Sequence, residues 1–197
     1  MTKSIHYYNT NAQDFYKRAY DADLSDSYQA FQEHLPEKAC ILDAGCGFGR
    51  DITHFLKQGY NVTAFDASKE MRAMALKETK ISILDITFQD MNFRQEFDGV
   101  WAQASLLHIP YQETRAVYQR IHKALKPEGI FYASYKYGNA HMPTPERDFW
   151  NMDENMIQSY FEGLFDVITI WTQKDKLSKL APSPKGLWLK FVVRKKG

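Results

Sequence analysis

The sequence is poor in cysteine, has no long apolar run and carries no surplus of charge of either sign. Its only two cysteines, Cys40 and Cys46, lack the spacing of a redox or zinc pair, so we expect neither a disulfide nor a bound metal. No apolar stretch approaches the ~20 residues that span a bilayer, so a membrane protein is not expected. Because 25 basic residues nearly balance 24 acidic ones, for a net charge of +1, no broad electrostatic field points to a polyanionic partner. Nucleic acid is therefore unsupported, though not excluded.

The first ten residues also lack the charged and apolar regions of a signal peptide, so we expect a cytoplasmic protein. A length of 197 residues, 44% of them apolar, suits a single domain around one core. The sequence does not distinguish a monomer from a homodimer.

Downstream of Cys40, short apolar runs alternate with segments of helical period. This alternation is typical of βαβ units, so the predicted fold class is α/β, with a doubly wound, Rossmann-like parallel sheet. The predicted strands are 39–43, 61–66, 81–88, 97–103, 129–136, 165–172 and 187–193, and the predicted helices are 50–58, 68–77, 111–125 and 153–162. Ser68 suits an N-cap position ahead of the second helix.

Two segments differ from this pattern. Residues 1–36 set aromatic side chains among polar ones and end at Pro36. They are predicted to form two helices that cannot make their own core and that cover the core of residues 37–197, within one domain. Residues 137–147 contain Gly138 and two prolines, which predict an irregular loop of the kind that often serves a site.

The densest signal is a glycine-rich turn after the first predicted strand. The strand ends in Asp43, and Gly45, Gly47 and Gly49 then lead into a helix. Glycines let backbone N–H groups approach a ligand closely. A dinucleotide site has glycine at the sixth position of this pattern, where the chain has Arg50, so NAD is disfavoured. Because the Asp43 carboxylate would repel a diphosphate but not an ammonium or sulfonium, the turn predicts a cationic cofactor.

Two further predicted strands end in acids. Asp66 lies about 20 residues beyond the glycines, the spacing of a carboxylate that accepts both ribose hydroxyls. Asp90 ends the third strand, where it could bind an adenine amino group while the Met91 N–H serves a ring nitrogen. Because the carboxyl ends of parallel strands meet at one crevice, we expect Asp43, Asp66 and Asp90 to face the same ligand. Any one of these acids alone would more often be a helix cap.

Together these motifs resemble the class I S-adenosylmethionine-dependent methyltransferases. The segments similar to their five motifs, in order, are 41–50, 64–67, 89–91, 97–110 and 125–129. The similarity is strongest to small bacterial methyltransferases of the tellurite-resistance type, which share Gly-Arg-Asp at 49–51, Ala-Ser-Leu-Leu-His at 104–108 and Lys-Tyr-Gly at 136–138. The resemblance covers nearly the whole chain. It implies a seven-stranded, mostly parallel sheet with an antiparallel last strand, S-adenosyl-L-methionine as the cofactor, and methyl transfer.

Carried onto this chain, the resemblance implies contacts to each part of the cofactor. They are Asp43 and the backbone of Gly45, Cys46 and Gly47 for the methionine portion, Asp66 for the ribose, Asp90 and Met91 for the adenine, Ala102 and Gln103 for the amino group, and Tyr16 and Arg50 for the carboxylate. Ala67, Met71 and Leu107 complete the predicted cofactor site. Met71 also suits the core-facing side of its helix.

Methyl transfer depends on alignment and exclusion of water, and needs a base only when the acceptor carries a proton. His108, just after the fourth strand, is the candidate base; alternatively, it orders its loop through a backbone hydrogen bond. The candidates for holding an anionic or planar acceptor are Lys136, Tyr137, Arg147 and Trp150, which could equally form a solvated loop.

Three functions remain open at this point. The chain lacks the motif that follows strand four in amino-methylating DNA enzymes, which favours a methyltransferase acting on a small molecule. The alternatives are a protein that binds S-adenosylmethionine or S-adenosylhomocysteine without turnover, and, ranked last, a nicotinamide-dependent oxidoreductase. Lys190 and Glu146 replace an asparagine and a glycine that are usual in the resembling proteins, so the acceptor pocket is expected to differ from theirs.

Overall fold

The structure is a computed structural model that describes residues 2–174 and 186–197. Its strands are β1 (Cys40–Ala44), β2 (Asn61–Phe65), β3 (Phe97–Ala102), β4 (Leu125–Lys136), β5 (His141–Pro143), β6 (Asp148–Trp150), β7 (Phe165–Lys174) and β8 (Leu187–Lys195). Six of them form one sheet in the order β2-β1-β3-β4-β8-β7. Strands β2, β1, β3 and β4 pair in parallel, and β8 runs antiparallel to both β4 and β7. The predicted α/β, Rossmann-like and mostly parallel fold is confirmed.

The prediction of seven strands is wrong by one. Residues 81–88 do not form a strand: Leu84 alone bridges to β2, through hydrogen bonds with Ala64 at 2.9 Å and Asp66 at 3.3 Å. Ile81 and Ile83 pack beside Ala64, whereas the side chain of Leu84 is 39% exposed at the sheet edge. Because only one face of the segment is buried, its apolar side chains hold it against the sheet without forming a full ladder of backbone hydrogen bonds to β2.

The helices are α1 (Lys3–Thr10), α2 (Ala12–Ala19), α3 (Ser25–Gln32), α4 (Arg50–Lys57), α5 (Lys69–Thr79), α6 (Tyr111–Ala124) and α7 (Glu154–Phe161), with short 3-10 turns at Phe88–Asp90 and Leu106–His108. The Ser68 hydroxyl caps α5 by accepting from the Met71 N–H at 3.2 Å, as predicted. The amino-terminal segment has three helices rather than two. Asn11 separates the first two, because its side-chain amide donates to the Tyr7 carbonyl at 3.0 Å and ends α1.

The segment predicted as an irregular loop contains a short hairpin. Strand β5 pairs antiparallel with β6, from His141 opposite Trp150 to Pro143 opposite Asp148. The prolines did not prevent pairing, because Pro143 is the last paired residue of β5 and Pro145 lies in the turn. The hairpin holds Arg147, Asp148 and Trp150 beside the carboxyl end of the sheet.

Helices cover both faces of the sheet. On one face, α6 and α7 pack on β4 and β8 around Tyr118, Phe131 and Phe191. On the other, Phe31 of α3 packs against Trp101, whose ring stacks on Tyr132 at 3.9 Å. Within residues 2–174 and 186–197, no helix has the length and apolar character needed to cross a membrane.

Candidate functional site

A cavity of about 720 Å³ opens at the carboxyl ends of the parallel strands, where ligands bind in open α/β sheets. Its volume lies within the range of small-molecule sites. The sequence-predicted residues that line it are Gly45, Cys46, Gly47, Arg50, Asp66, Ala67, Met71, Gln103, Leu107, His108, Lys136, Arg147 and Trp150. The structure therefore brings together most of the predicted site, although these residues come from many separate parts of the chain.

The glycine turn presents its backbone to this cavity. Gly45 and Gly47 have φ angles of +75° and +56°, a left-handed conformation that favours glycine. The N–H groups of Gly45 and Cys46 both donate to the Phe65 carbonyl at 3.0 Å, which ties the turn to the end of β2. A Cβ added to Gly47 would meet no protein atom within 4 Å, so the cavity reaches the backbone at this point.

Asp43 lies behind the turn, at 2% exposure, instead of on the cavity wall. Its Oδ2 atom has no hydrogen-bond partner in the described part of the chain. Burial and the neighbouring Asp51 and Asp66 carboxylates raise the pKa of Asp43 well above its usual value, and Arg50 opposes them. An unsatisfied buried carboxylate favours a cation nearby, so this position suits a ligand that carries an ammonium or sulfonium group.

Asp66 is oriented by two backbone N–H groups. Its Oδ2 accepts from Gly47 and its Oδ1 from Ser68, both at 2.8 Å. Burial raises the pKa of Asp66, and these two hydrogen bonds act in the opposite direction. Because each carboxylate oxygen has more than one acceptor position, both can still receive hydroxyl groups from the cavity that Asp66 lines.

Asp90 and Met91 lie away from the cavity, contrary to the prediction that three strand-end acids share it. Asp90 Oδ2 accepts from the Thr87 N–H at 3.1 Å and the Thr87 hydroxyl at 2.7 Å, which form a capping box and lower the pKa of Asp90. Met91 is buried in the core. The chain enters a 3-10 turn at this point and does not end a strand, so Phe88 and Gln89 line the cavity in their place. The predicted adenine contacts of Asp90 and Met91 are not supported by these positions.

Three other predicted residues also lie outside the cavity lining. Tyr16 packs on Phe48 with ring centroids 5.0 Å apart, Ala102 is fully buried, and the Tyr137 hydroxyl donates to Glu154 at 2.9 Å. Ala102 is thus a core residue, Tyr16 is half-buried against Phe48, and Tyr137 contacts Glu154 of α7.

Arg50 is held in place by the residues around it. Its Nε donates to Asp51 Oδ1 at 2.7 Å, and its Nη1 donates to the Ala19 carbonyl at 3.0 Å. Asp51 also accepts from Trp101 Nε1 at 2.8 Å and Tyr28 at 2.6 Å. Although burial acts in the opposite direction, the Arg50 guanidinium and these hydrogen bonds lower the pKa of Asp51. The network joins the amino-terminal helices to the sheet beside the glycine turn.

His108 is bound through both ring nitrogens. Its Nδ1 lies 2.9 Å from the Asp148 backbone carbonyl and 3.1 Å from the Ser4 hydroxyl, and its Nε2 lies 3.1 Å from the Tyr8 hydroxyl. Burial lowers the pKa of His108 to about 4. The loop-ordering backbone hydrogen bond considered as an alternative from sequence is present, while the imidazole still lines the cavity. The sequence did not predict that Ser4 and Tyr8 contact His108. The only signal was the aromatic composition of the amino-terminal segment.

The lowered pKa of His108 predicts how the free energy of unfolding depends on pH. A histidine that stays neutral when folded contributes stability above its unfolded pKa of 6.5, and this stability is lost as the pH falls towards about 4. We therefore expect the free energy of unfolding, measured with urea, to fall between pH 7 and pH 5. The fall should be smaller for His108→Gln, and an equal fall in both proteins would contradict the assignment.

The predicted acceptor residues Lys136, Arg147 and Trp150 do reach the cavity. Lys136 Nζ lies 4.0 Å from the centre of the Trp188 ring, and the Arg147 guanidinium lies 3.9 Å from the centre of the Tyr7 ring. Both cations are buried. The wall beyond the glycine turn thus combines cations with aromatic rings.

Comparison with known proteins places this geometry in context. Residues 41–129, which include the glycine turn, match the family described as methyltransferase domain. The putative methyltransferase YqeM of Bacillus subtilis is 31% identical over 134 residues, which are 62% of this chain and 53% of that protein. Sterol 24-C-methyltransferase of Candida albicans is 31% identical over 152 residues, or 64% of this chain and 40% of that protein. The chain thus spans about half or less of the length of these two curated relatives.

Solved structures share the fold at low sequence identity. The 1,6-didemethyltoxoflavin-N1-methyltransferase of Burkholderia thailandensis, solved with bound 1,6-didemethyltoxoflavin and S-adenosylhomocysteine, has a TM-score of 0.73 at 22% identity, covering 98% of this chain and 88% of that one. An S-adenosylmethionine-dependent methyltransferase from Methanosarcina mazei has a TM-score of 0.73 at 17% identity, covering 85% and 97%. At these identities the likeness establishes the fold.

Proposed function

We propose that this protein is an S-adenosylmethionine-dependent methyltransferase that acts on a small-molecule acceptor. The observation that carries the proposal is the buried, unsatisfied Asp43 carboxylate behind a left-handed glycine turn that opens to the cavity. This arrangement attracts positive charge and leaves room for a ligand against the backbone. The methyltransferase match over residues 41–129, which includes the turn, supports the same conclusion.

The described residues fit each part of such a cofactor. The backbone of the turn would hold the methionine end, with the Asp43 carboxyl buried behind it, and Asp66 would accept the ribose hydroxyls. The adenine would lie against Phe88 and Gln89, which line the cavity where Asp90 was expected. Arg18 also lines the cavity and donates to the Tyr7 hydroxyl at 2.9 Å, so it is a candidate partner for the cofactor carboxylate beside Arg50.

When bound, the cofactor supplies a methyl carbon activated by a sulfonium leaving group. The protein's contribution is to align the acceptor with this carbon and to keep water away, and alignment of this kind is worth about 7 to 11 kcal/mol in favourable cases. Tyr8 and Phe15 of the amino-terminal helices and Phe149 and Trp150 of the hairpin border the cavity and restrict the entry of water. His108, neutral near pH 7, would take a proton from the acceptor through the Tyr8 hydroxyl, which is bound to its Nε2 atom.

We further propose that the protein is of the bacterial tellurite-resistance type, on the basis of the sequence segments that it shares with that group. The cytoplasmic location, the single-domain organisation and a monomeric or homodimeric state stay predictions of the sequence. The 1,6-didemethyltoxoflavin bound to the Burkholderia neighbour supports a small-molecule acceptor for this chain.

Isothermal titration with S-adenosylmethionine and S-adenosylhomocysteine tests cofactor binding directly, and absence of binding by both would contradict the proposal. Release of labelled methyl groups to components of a metabolite extract then separates an enzyme from a protein that binds without turnover. Binding without transfer to any component would favour the second function.

Replacing Asp66 with alanine tests the ribose assignment. Because two hydrogen bonds to a charged acceptor would be lost, we expect affinity for S-adenosylhomocysteine to fall about 10- to 100-fold. Asp166→Ala is the control, since Asp166 pairs with Lys196 on the surface, where its side chain is 65% exposed. Equal affinity of the two variants in isothermal titration would remove the ribose role from Asp66.

A further inference from the structure

Tyr8 and His108 form a hydrogen-bonded pair on the cavity wall, between α1 and the turn that follows β3. The two residues are 100 positions apart in the chain. On either side of them, the Asp148 carbonyl contacts His108, and the Arg147 guanidinium lies 3.5 Å from the Tyr8 oxygen. Because a carbonyl can only accept and a guanidinium can only donate, these two groups determine the direction of the hydrogen bonds that link Asp148, His108, Tyr8 and Arg147.

The position of the ring hydrogen of His108 follows from its partners. A backbone carbonyl can only accept, so His108 Nδ1 carries the ring hydrogen and donates it to Asp148. A neutral imidazole has a single N–H, so Nε2 is an acceptor and the Tyr8 hydroxyl must donate to it. Burial, which lowers the pKa of His108 to about 4, keeps the ring neutral near pH 7.

The Tyr8 oxygen is consequently left with acceptor positions alone. A phenolic oxygen has two lone pairs, and a guanidinium can only donate, so Arg147 Nη1 occupies one of them. In the described part of the chain, His108 and Arg147 are the hydrogen-bond partners of this hydroxyl. The second lone pair is available to a molecule in the cavity that Tyr8 borders.

We propose that Tyr8 selects the methyl acceptor by accepting a hydrogen bond from it, so that the acceptor is a planar ring bearing an O–H or N–H group. The ring is expected because apolar side chains line the same cavity: the Phe149 ring lies 5.3 Å from the His108 ring, and Leu107 and Trp150 also border the cavity. That the bound molecule is a methyl acceptor rests on the proposed function, whereas the binding preference of Tyr8 can be measured without methyl transfer.

The first test concerns hydrogen positions. Long-range ¹H–¹⁵N NMR of the His108 ring at pH 7, assigned with the His108→Gln variant, should show a hydrogen on Nδ1 and none on Nε2. Tyr8→Phe should shift the Nε2 resonance, because Nε2 loses its donor. A hydrogen on Nε2 in the wild-type protein would overturn the inference.

The second test compares phenol with anisole, its methyl ether, which has the same ring but no donor. Each is titrated with and without S-adenosylhomocysteine, and binding is followed on the His108 signals so that only occupancy at this place is counted. We expect phenol to bind about 2- to 12-fold more tightly than anisole, the value of one net hydrogen bond, and Tyr8→Phe to abolish the difference.

Tyr7→Phe is the matched control. The Tyr7 hydroxyl accepts from Arg18 at 2.9 Å, and a phenylalanine ring keeps the contact with Arg147. The preference for phenol should survive in this variant. No preference in the wild-type protein, or a preference that survives in Tyr8→Phe, would overturn the inference. Failure of S-adenosylhomocysteine to bind would instead count against the proposed function alone.

Discussion

Gly45→Ala is expected to abolish cofactor binding and to destabilise the fold. Gly45 has a φ of +75°, and an added Cβ would lie 2.6 Å from the Ser105 Cβ, closer than two non-bonded carbon atoms approach in folded proteins. Ser105 cannot easily move, because its hydroxyl donates to the Ala44 carbonyl at 2.8 Å. The left-handed conformation costs about 1 to 2 kcal/mol with a side chain, and the overlap adds about 1 to 3 kcal/mol.

Substitutions at Gly59 and Gly47 separate the loss of stability from the loss of cofactor binding. Gly59 has a φ of +85° with no atom within 4 Å of an added Cβ, and it lies outside the cavity lining. Gly59→Ala should therefore lose only the conformational part of the stability and bind S-adenosylhomocysteine normally. Gly47→Ala should resemble Gly59→Ala in stability but bind weakly, because its methyl group would enter the cavity. Urea unfolding and isothermal titration measure both quantities, and normal binding by Gly45→Ala would refute the role of the turn.

Asp43→Asn is expected to change stability and binding in opposite directions. The pKa of Asp43 is raised in the folded protein, first by burial and then by nearby carboxylates. A protein with a buried acid whose pKa is raised on folding loses stability as the pH rises from the unfolded pKa of that acid towards the folded one, whereas asparagine has no such effect. The variant should therefore have a higher free energy of unfolding than the wild type at pH 8, and a smaller difference at pH 5.

The same substitution should weaken binding of S-adenosylhomocysteine at least about 10-fold, because the negative charge behind the turn, which attracts its ammonium group, is lost. In the wild-type protein, binding should tighten as the pH rises through the pKa of Asp43, since the ammonium group favours the ionised carboxyl. Asp166→Asn on the surface serves as the control. A variant that is both less stable and unaltered in binding would show that Asp43 has a structural role only.

The parts of the site that the sequence predicted are those encoded locally. The glycines, Asp43 and Asp66 lie within short segments whose geometry follows from strand, turn and helix in immediate succession. Asp90 was placed in the site because residues 81–88 have the composition of a strand. At the sheet edge this segment makes two backbone hydrogen bonds to β2 and then turns into a 3-10 helix. Local composition cannot distinguish an edge segment of this kind from a paired strand.

The rest of the cavity wall could be predicted only in part: the sequence indicated Lys136, Arg147 and Trp150, but not the contacts that join distant parts of the chain. Tyr8 meets His108, and Tyr28 and Trp101 meet Asp51, through side-chain hydrogen bonds that leave no periodic pattern in the sequence. Arg147 was identified as a candidate, but its neighbours were not. Its position depends on the β5–β6 hairpin, in a segment whose prolines suggested an irregular loop.

The contacts of α1 have a consequence for synthesis on the ribosome. Ser4 and Tyr8 are synthesised before their partner His108, which follows 104 and 100 residues later, and Asp148 follows later still. The strands that carry the glycine turn can pair, and Asn9 of α1 can accept from Ser68 at the start of α5, before these contacts to His108 form. A nascent chain stalled before the hairpin would thus already possess the glycine turn, whereas the part of the cavity wall that joins Tyr8, His108 and Asp148 is completed only after the hairpin has been synthesised.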